Sequence, residues 1–305
     1  MFFQKNKFNE LRKQLINTEN KTNELRDRLI NIENKTDNLS EQLINIQDKT
    51  KNLPELQQRL INIELKIDLL SDIIARVHKE KNYIFETTIS GLSFLFQDAL
   101  TSYTVPAVTR EMKNSEYNFE NIVFSPGDCV IDIGANVGIV SIYLAKKYPF
   151  LKIYAYEPVK RNYDNFVKNI KLNQIPDGII FAENKAVTKD GRKIKMNFDI
   201  RNSGGSFGEE IDNHENINTG ITDTVDSISL DNILQKYSIR NLKLLKMDCE
   251  GFEYEILYNT KLDNLKKIHA IRGEFHNSSK SKNAENLLNF VRKYIPNISI
   301  YIHEE

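Results

Sequence analysis

Asp128-Cys129-Val130-Ile131-Asp132-Ile133-Gly134-Ala135-Asn136-Val137-Gly138 is the stretch that decides the fold. A run of apolar and β-branched residues enters a glycine turn, and a helical pattern over about 137–147 follows. A buried strand that feeds a helix through such a turn is a nucleotide-binding βα unit. Its helix N-terminus and backbone N–H groups attract anionic or polar ligand groups. Outward from it, strand-like runs recur at 152–156, 179–182, 242–247, 269–275 and 298–303, with helical patterns near 160–173, 251–258 and 282–294. That alternation predicts an α/β domain with a mostly parallel sheet and helices on both faces. A stretch from about 190 to 228, holding Ser203-Gly204-Gly205-Ser206-Phe207-Gly208, interrupts it. An insertion there is expected over the carboxyl edge of the sheet, where such folds place their chemistry.

The loop narrows the ligand. A dinucleotide loop reads G-x-G-x-x-G, and its second glycine lets a pyrophosphate approach the backbone. Here Asn136 stands at that position, between Gly134 and Gly138. Asp132 at the strand end repels phosphate and suits a cationic, sulfonium-bearing ligand. Twenty-three residues after Gly134, the second strand ends in Glu157-Pro158, where a carboxylate can accept both ribose hydroxyls. The pair of signals favours S-adenosyl-L-methionine over NAD or FAD. The expected cofactor residues are Asp132, Gly134, Ala135, Asn136, Gly138, Glu157, Pro158 and Ala186, the last just beyond the third strand candidate.

Residues from about 124 to 276 resemble the FkbM family of S-adenosylmethionine-dependent methyltransferases. The matching pieces are Pro126-Gly127-Asp128 with the glycine loop, and Glu157-Pro158 with Asn169 and Asn173. Ser229-Leu230-Asp231, then Lys246-Met247-Asp248-Cys249-Glu250-Gly251-Phe252-Glu253, then Gly273-Glu274-Phe275-His276 complete the set. The resemblance implies a Rossmann-like class I methyltransferase domain and methylation of a hydroxyl, most often on a sugar or small natural product. Sheets of this family finish with an antiparallel strand pair. The sequence stops soon after Ile298-Ser299-Ile300-Tyr301-Ile302, so one strand of that pair is expected to be missing or supplied differently.

Methyl transfer to oxygen is an in-line displacement, helped by a base or a metal that acts on the hydroxyl proton. Asp248 ends a strand of buried type, and Glu274 and His276, two apart, share a strand face. These three are the expected catalytic residues, with His276 as general base near neutral pH. They can also group around a divalent cation, although no metal is expected. Glu250 and Glu253 read as helix N-terminal charges, Cys249 as a small buried residue, and His214 as loop decoration.

The N-terminal region has a different grammar. Leu11, Leu25, Ile32, Leu39, Ile46, Leu53, Leu60, Ile67 and Ile74 share one seven-residue frame, and Leu15, Leu29 and Leu43 form a second seam. The 3–4 spacing predicts a coiled coil over residues 1–81, with helices at roughly 8–52 and 54–80 and a break at Pro54. A homo-oligomer through this stalk is expected. Residues 82–123, including Phe94-Leu95-Phe96, read as an irregular lead-in that packs on the domain of 124–305.

Of 305 residues, 42 are Lys or Arg and 42 are Asp or Glu, a net charge of +0 that speaks against nucleic acid as partner. No apolar run approaches the roughly 20 residues that span a bilayer, and MFFQKNKFNE lacks the apolar core of a signal peptide. With only Cys129 and Cys249 there is no disulfide framework. A reducing, cytoplasmic setting is expected. The alternatives are a coiled-coil assembly protein with a degenerate methyltransferase-like binding module, and a protein methyltransferase recruited through the coil.

Overall fold

The computed structural model describes residues 82–99, 102–199, 207–209, 220–277 and 283–304. The expected coiled coil at 1–81 and the glycine-rich turn at 203–206 lie outside them, as does His214.

The described chain opens with a hairpin, β1 (Asn82–Ile89) and β2 (Leu92–Ala99), and a helix, α1 (Thr104–Lys113). This corrects the expectation of an irregular lead-in. The two-residue turn, Ser90-Gly91, has positive φ at both positions, 50° and 80°, as a type I′ hairpin requires. Phe94 and Phe96 alternate inward on β2 and are almost fully buried.

Next come β3 (Cys129–Ile133), α2 (Ile139–Lys147), β4 (Lys152–Tyr156), α3 (Lys160–Leu172) and β5 (Ile180–Glu183). A short strand, β6 (Ala186–Thr188), leads into β7 (Ile194–Asp199), β8 (Phe207–Glu209) and β9 (Gly220–Val225). The last three form an antiparallel sheet of their own within the expected insertion. Strand β10 (Ser227–Ser229) pairs with β6, and α4 (Leu230–Lys236), β11 (Leu244–Met247), α5 (Glu253–Asn259) and the short α6 (Leu262–Leu265) follow. The described chain closes on β12 (Ala270–Asn277), α7 (Ala284–Val291) and β13 (Asn297–Glu304).

The central sheet has six strands in the order β13-β12-β11-β3-β4-β5, and every pairing in it is parallel. Among the described residues, then, β13 does not join an antiparallel pair; it lies parallel to β12 at the sheet edge. Alternate residues feed opposite faces. Val130, Ile153 and Leu244 pack with α2, α3 and the hairpin, while Ile131, Tyr154 and Leu245 pack with α4, α5 and α7. Each such side chain, fully buried, contributes about 1.5–3 kcal/mol. The chain runs outward from β3 to β5 and then returns to β11 on the other side. The order therefore reverses between β3 and β11, and ligands bind at the carboxyl ends of such strands.

An asparagine ladder on α3 docks the hairpin. Asn165 and Asn169 on α3 and Asn173 at its C-cap stand one turn apart, and all three are buried. Gln97 N–H donates to Asn169 Oδ1 (2.6 Å), and Asn169 Nδ2 donates back to Gln97 O (3.1 Å) and to Val137 O (2.9 Å). Leu95 makes the same reciprocal pair with Asn173. The side-chain amides thus stand in for a neighbouring strand along the edge of β2. Asn169 also ties that edge to the glycine loop. Asn169→Leu orphans three backbone groups and is expected to lower stability by about 2–4 kcal/mol in urea unfolding. A loss under about 1 kcal/mol would contradict this account of the ladder.

Candidate active site

The loop after β3 is held by its own amides. Gly134 N and Ala135 N both donate to Tyr156 O at 3.0 Å, Asn136 N to Glu157 Oε2 at 2.8 Å, and Gly138 N to Ala135 O at 2.8 Å. Val137 N is met by the Asn136 side chain at 2.8 Å. Every amide from 134 to 138 therefore has a partner inside the protein. The sequence expectation that the backbone N–H groups of this loop attract a ligand is corrected for residues 134–138, and a phosphate finds no open donor there. Position 134 requires glycine. Its φ is +75°, and a Cβ would lie 1.8 Å from Asp248 O, because the loop presses against the end of β11.

Glu157 stands at the end of β4, 4% exposed, in the wall of a cleft of about 330 Å³. Its two oxygens are oriented by Asn136 N and, at 2.9 Å, by Val159 N. Burial raises its pKa to about 7, against the opposing pull of those amides and of Lys246. Gly134, Ala135, Asn136, Pro158 and Ala186 line the same cleft. A carboxylate with its lone pairs fixed beside a loop without open N–H donors fits the ribose of an adenosyl ligand that carries no phosphate.

Two expected cofactor residues sit elsewhere. Asp132 is completely buried behind the loop, where Ser141 Oγ donates to its Oδ2 at 2.6 Å. Lys246 Nζ lies 3.2 Å from Oδ1, a close ion pair without the alignment of a hydrogen bond. Asp132 braces the loop rather than facing the cleft. Gly138, at φ +89°, is a packing position: a Cβ there would fall 1.9 Å from the ring of Phe166.

On the opposite wall the carboxyl edges of β11 and β12 bring Asp248, Glu274 and His276 together. One potential ligand atom from each lies within 4.8 Å of the other two. His276 Nδ1 is 3.1 Å from Glu253 Oε1, and its Nε2 is 3.5 Å from Glu250 Oε2 and 4.0 Å from Glu274 Oε2. Burial alone would lower the imidazole pKa, but Glu253, Glu250 and Asp248 carry it up to about 9. At neutral pH the imidazole is protonated in this setting, which departs from the free general base read from the sequence. Burial, then the charge of Asp248, raises Glu250 to about 7.

Four residues of this site escaped the sequence reading. Lys246 is 3% exposed and donates to Gly134 O at 2.8 Å, so it joins loop, Asp132 and Asp248. A lysine inside the apolar run Leu242–Met247 was the available signal, since a buried ammonium requires partners. Glu253, completely buried, holds His276 rather than merely charging a helix end. Glu111 and Tyr117, joined at 3.2 Å, reach the cleft from α1 and the loop after it. No local pattern marks them.

The chain is similar in sequence to known methyltransferases. The profile of the Methyltransferase FkbM domain matches residues 132–298, over half of the chain. Methyltransferase sdnD of Sordaria araneosa is 23% identical over 194 residues, covering 52% of this chain and 72% of that protein. Methyltransferase 1 of Beauveria bassiana is 24% identical over 148 residues, covering 44% of this chain and 59% of that protein. Among solved structures, M. jannaschii TYW2 in complex with AdoMet shares 22% identity with a TM-score of 0.24, covering 34% of this chain and 43% of that one.

Proposed function

Because the chain belongs to the FkbM methyltransferase family, we propose that it transfers a methyl group from S-adenosylmethionine to a hydroxyl of a saccharide or glycoconjugate. The observation that carries the reading is the cleft itself, with a ribose-type carboxylate on one wall and a carboxylate cluster on the other. Glu157, with Ala135, Asn136, Pro158 and Ala186 around it, holds the adenosyl half. Asp248 and Glu274 face the acceptor. S-Adenosylmethionine supplies a methyl group on a sulfonium. The acceptor oxygen forms the new C–O bond as the C–S bond breaks and its electron pair returns to sulfur.

The chain's own task is orientation and proton removal. Carboxylates accept hydrogen bonds from hydroxyls, and the Asp248–Glu274 pair is placed to receive the acceptor proton. Tyr103, 58% exposed at the lip, offers an aromatic face for the ring of a sugar. Ile194 and Met196 on β7 bring the insertion into the same wall. Among the described residues no helix is long and apolar enough to cross a membrane.

The test is a screen of the full chain with methyl-labelled S-adenosylmethionine and a panel of saccharides. Label is expected in a soluble, base-stable product, as for an ether. Label in precipitated protein would point to a protein acceptor. Absence of turnover across the panel despite S-adenosylhomocysteine binding would favour the degenerate binding module. Light scattering on the same sample reads the oligomer that the heptads of residues 1–81 support.

A further inference from the structure

We propose that Asp248, Glu274 and His276 form a binding site for one divalent cation of the Mn²⁺ or Mg²⁺ class. The fold delivers the three by topology. Strands β11 and β12 are adjacent and parallel, with Met247 opposite Gly273. The next residues, Asp248 just past the end of β11 and Glu274 within β12, therefore stand side by side, and His276 lies on the same face of β12 as Glu274. Their candidate ligand atoms fall within 4.8 Å of one another, and the side chains are 27%, 19% and 14% exposed. Two carboxylates and an imidazole leave coordination positions open toward the cleft. Oxygen-rich sets of this kind suit Mg²⁺ or Mn²⁺.

A second observation lies behind the cluster. Glu253 is completely buried, yet its Oε2 has no hydrogen-bond partner. Its Oε1 contacts His276 Nδ1 at 3.1 Å and accepts from Cys249 N at 3.3 Å. Glu253 on Nδ1 fixes the imidazole, and an ion taken up at Nε2, which lies 3.5 Å from Glu250 Oε2, displaces the ring proton. Glu111 and Glu250 line the same cleft, and Lys246 is already engaged with Asp132 and the Gly134 carbonyl. A divalent ion that replaces the imidazole proton brings a further positive charge to this group of carboxylates. The role of the ion, holding and polarising the acceptor hydroxyl, rests on the O-methyl reading; the site itself does not.

The test uses the full chain, stripped with a chelator and titrated with Mn²⁺ under electron paramagnetic resonance. One tight Mn²⁺ per chain is expected, in the micromolar range. Asp248→Asn, Glu274→Gln and His276→Gln are each expected to weaken it at least tenfold, and Glu253→Gln by about 10–100-fold. Calorimetry with S-adenosylhomocysteine and circular dichroism on the same samples confirm that each variant is folded. Failure to bind Mn²⁺ stoichiometrically, or binding that folded variants all retain, would overturn the inference. A wild type that binds S-adenosylhomocysteine but not Mn²⁺ overturns the cation site and leaves the methyltransferase reading intact. Mn²⁺ binding without S-adenosylhomocysteine binding does the reverse.

Discussion

Lys246→Met is expected to lower the free energy of unfolding by about 3–5 kcal/mol, the cost of stranding a buried charge. For a domain of this size that is a fall in Tm of about 6–20 °C. The reason is Asp132, which is completely buried with Lys246 as its nearby cation. Burial alone would lower the lysine pKa, but Asp132 and Asp248 raise it, so the ammonium stays charged. The same ammonium donates to Gly134 O, so its loss also loosens the loop that presses on Asp248. Methionine keeps most of the volume, which isolates the charge from the packing. Adding Asp132→Asn to Lys246→Met is expected to restore more than half of the loss, because no fully buried charge then remains unpaired and Asp248 is partly exposed. Thermal unfolding of both variants measures this. A single variant within about 1 kcal/mol of wild type would show that the ion pair does not brace the site.

The second large effect is on binding and depends on pH. S-Adenosylhomocysteine is expected to bind Glu157→Gln at least tenfold more weakly than wild type, about 1.4 kcal/mol. Wild-type affinity is expected to fall as pH drops through about 7. Burial is the leading cause of the high pKa, and only the ionised carboxylate accepts from two ribose hydroxyls. Below about 7 the carboxyl carries a proton and loses acceptor capacity, approaching tenfold weaker binding per pH unit. Glu157→Gln should be flat over the same range. For the unliganded protein the sign is opposite. The folded pKa, about 7, stands above the ordinary value of 4.5, so this group costs stability as pH rises through that window. Calorimetry between pH 6 and pH 8.5 checks the binding arm. A pH-independent wild-type affinity would remove Glu157 from the ribose site.

How much of this was legible in the sequence depended on how local the signal is. The six strands of the central sheet lie within about two residues of their expected positions, two of them at the same bounds. Strands buried on both faces read as short apolar runs, and those are hard to miss. The hairpin was missed although Ser90-Gly91 sits between two alternating runs. Its inward positions include Asp98, which breaks the apolar pattern. Glu157 was readable because its place follows from the strand end. Asp132 was not, because a strand residue's face is set by what packs above it. Here that is Ser141 on α2 and Lys246 on β11. The protonation of His276 was also out of reach, since it depends on Glu253 and Glu250, which arrive from a different element.

The central claim is that the cleft at the carboxyl edge binds an adenosyl ligand without phosphate. Calorimetric titration of the full chain with S-adenosylhomocysteine and, separately, with NAD tests it most directly. The paired amides of residues 134–138 and the carboxylate of Glu157 predict one S-adenosylhomocysteine site per chain and NAD binding at least a hundredfold weaker. Equal affinity for NAD, or no binding of S-adenosylhomocysteine by the folded chain, would contradict it.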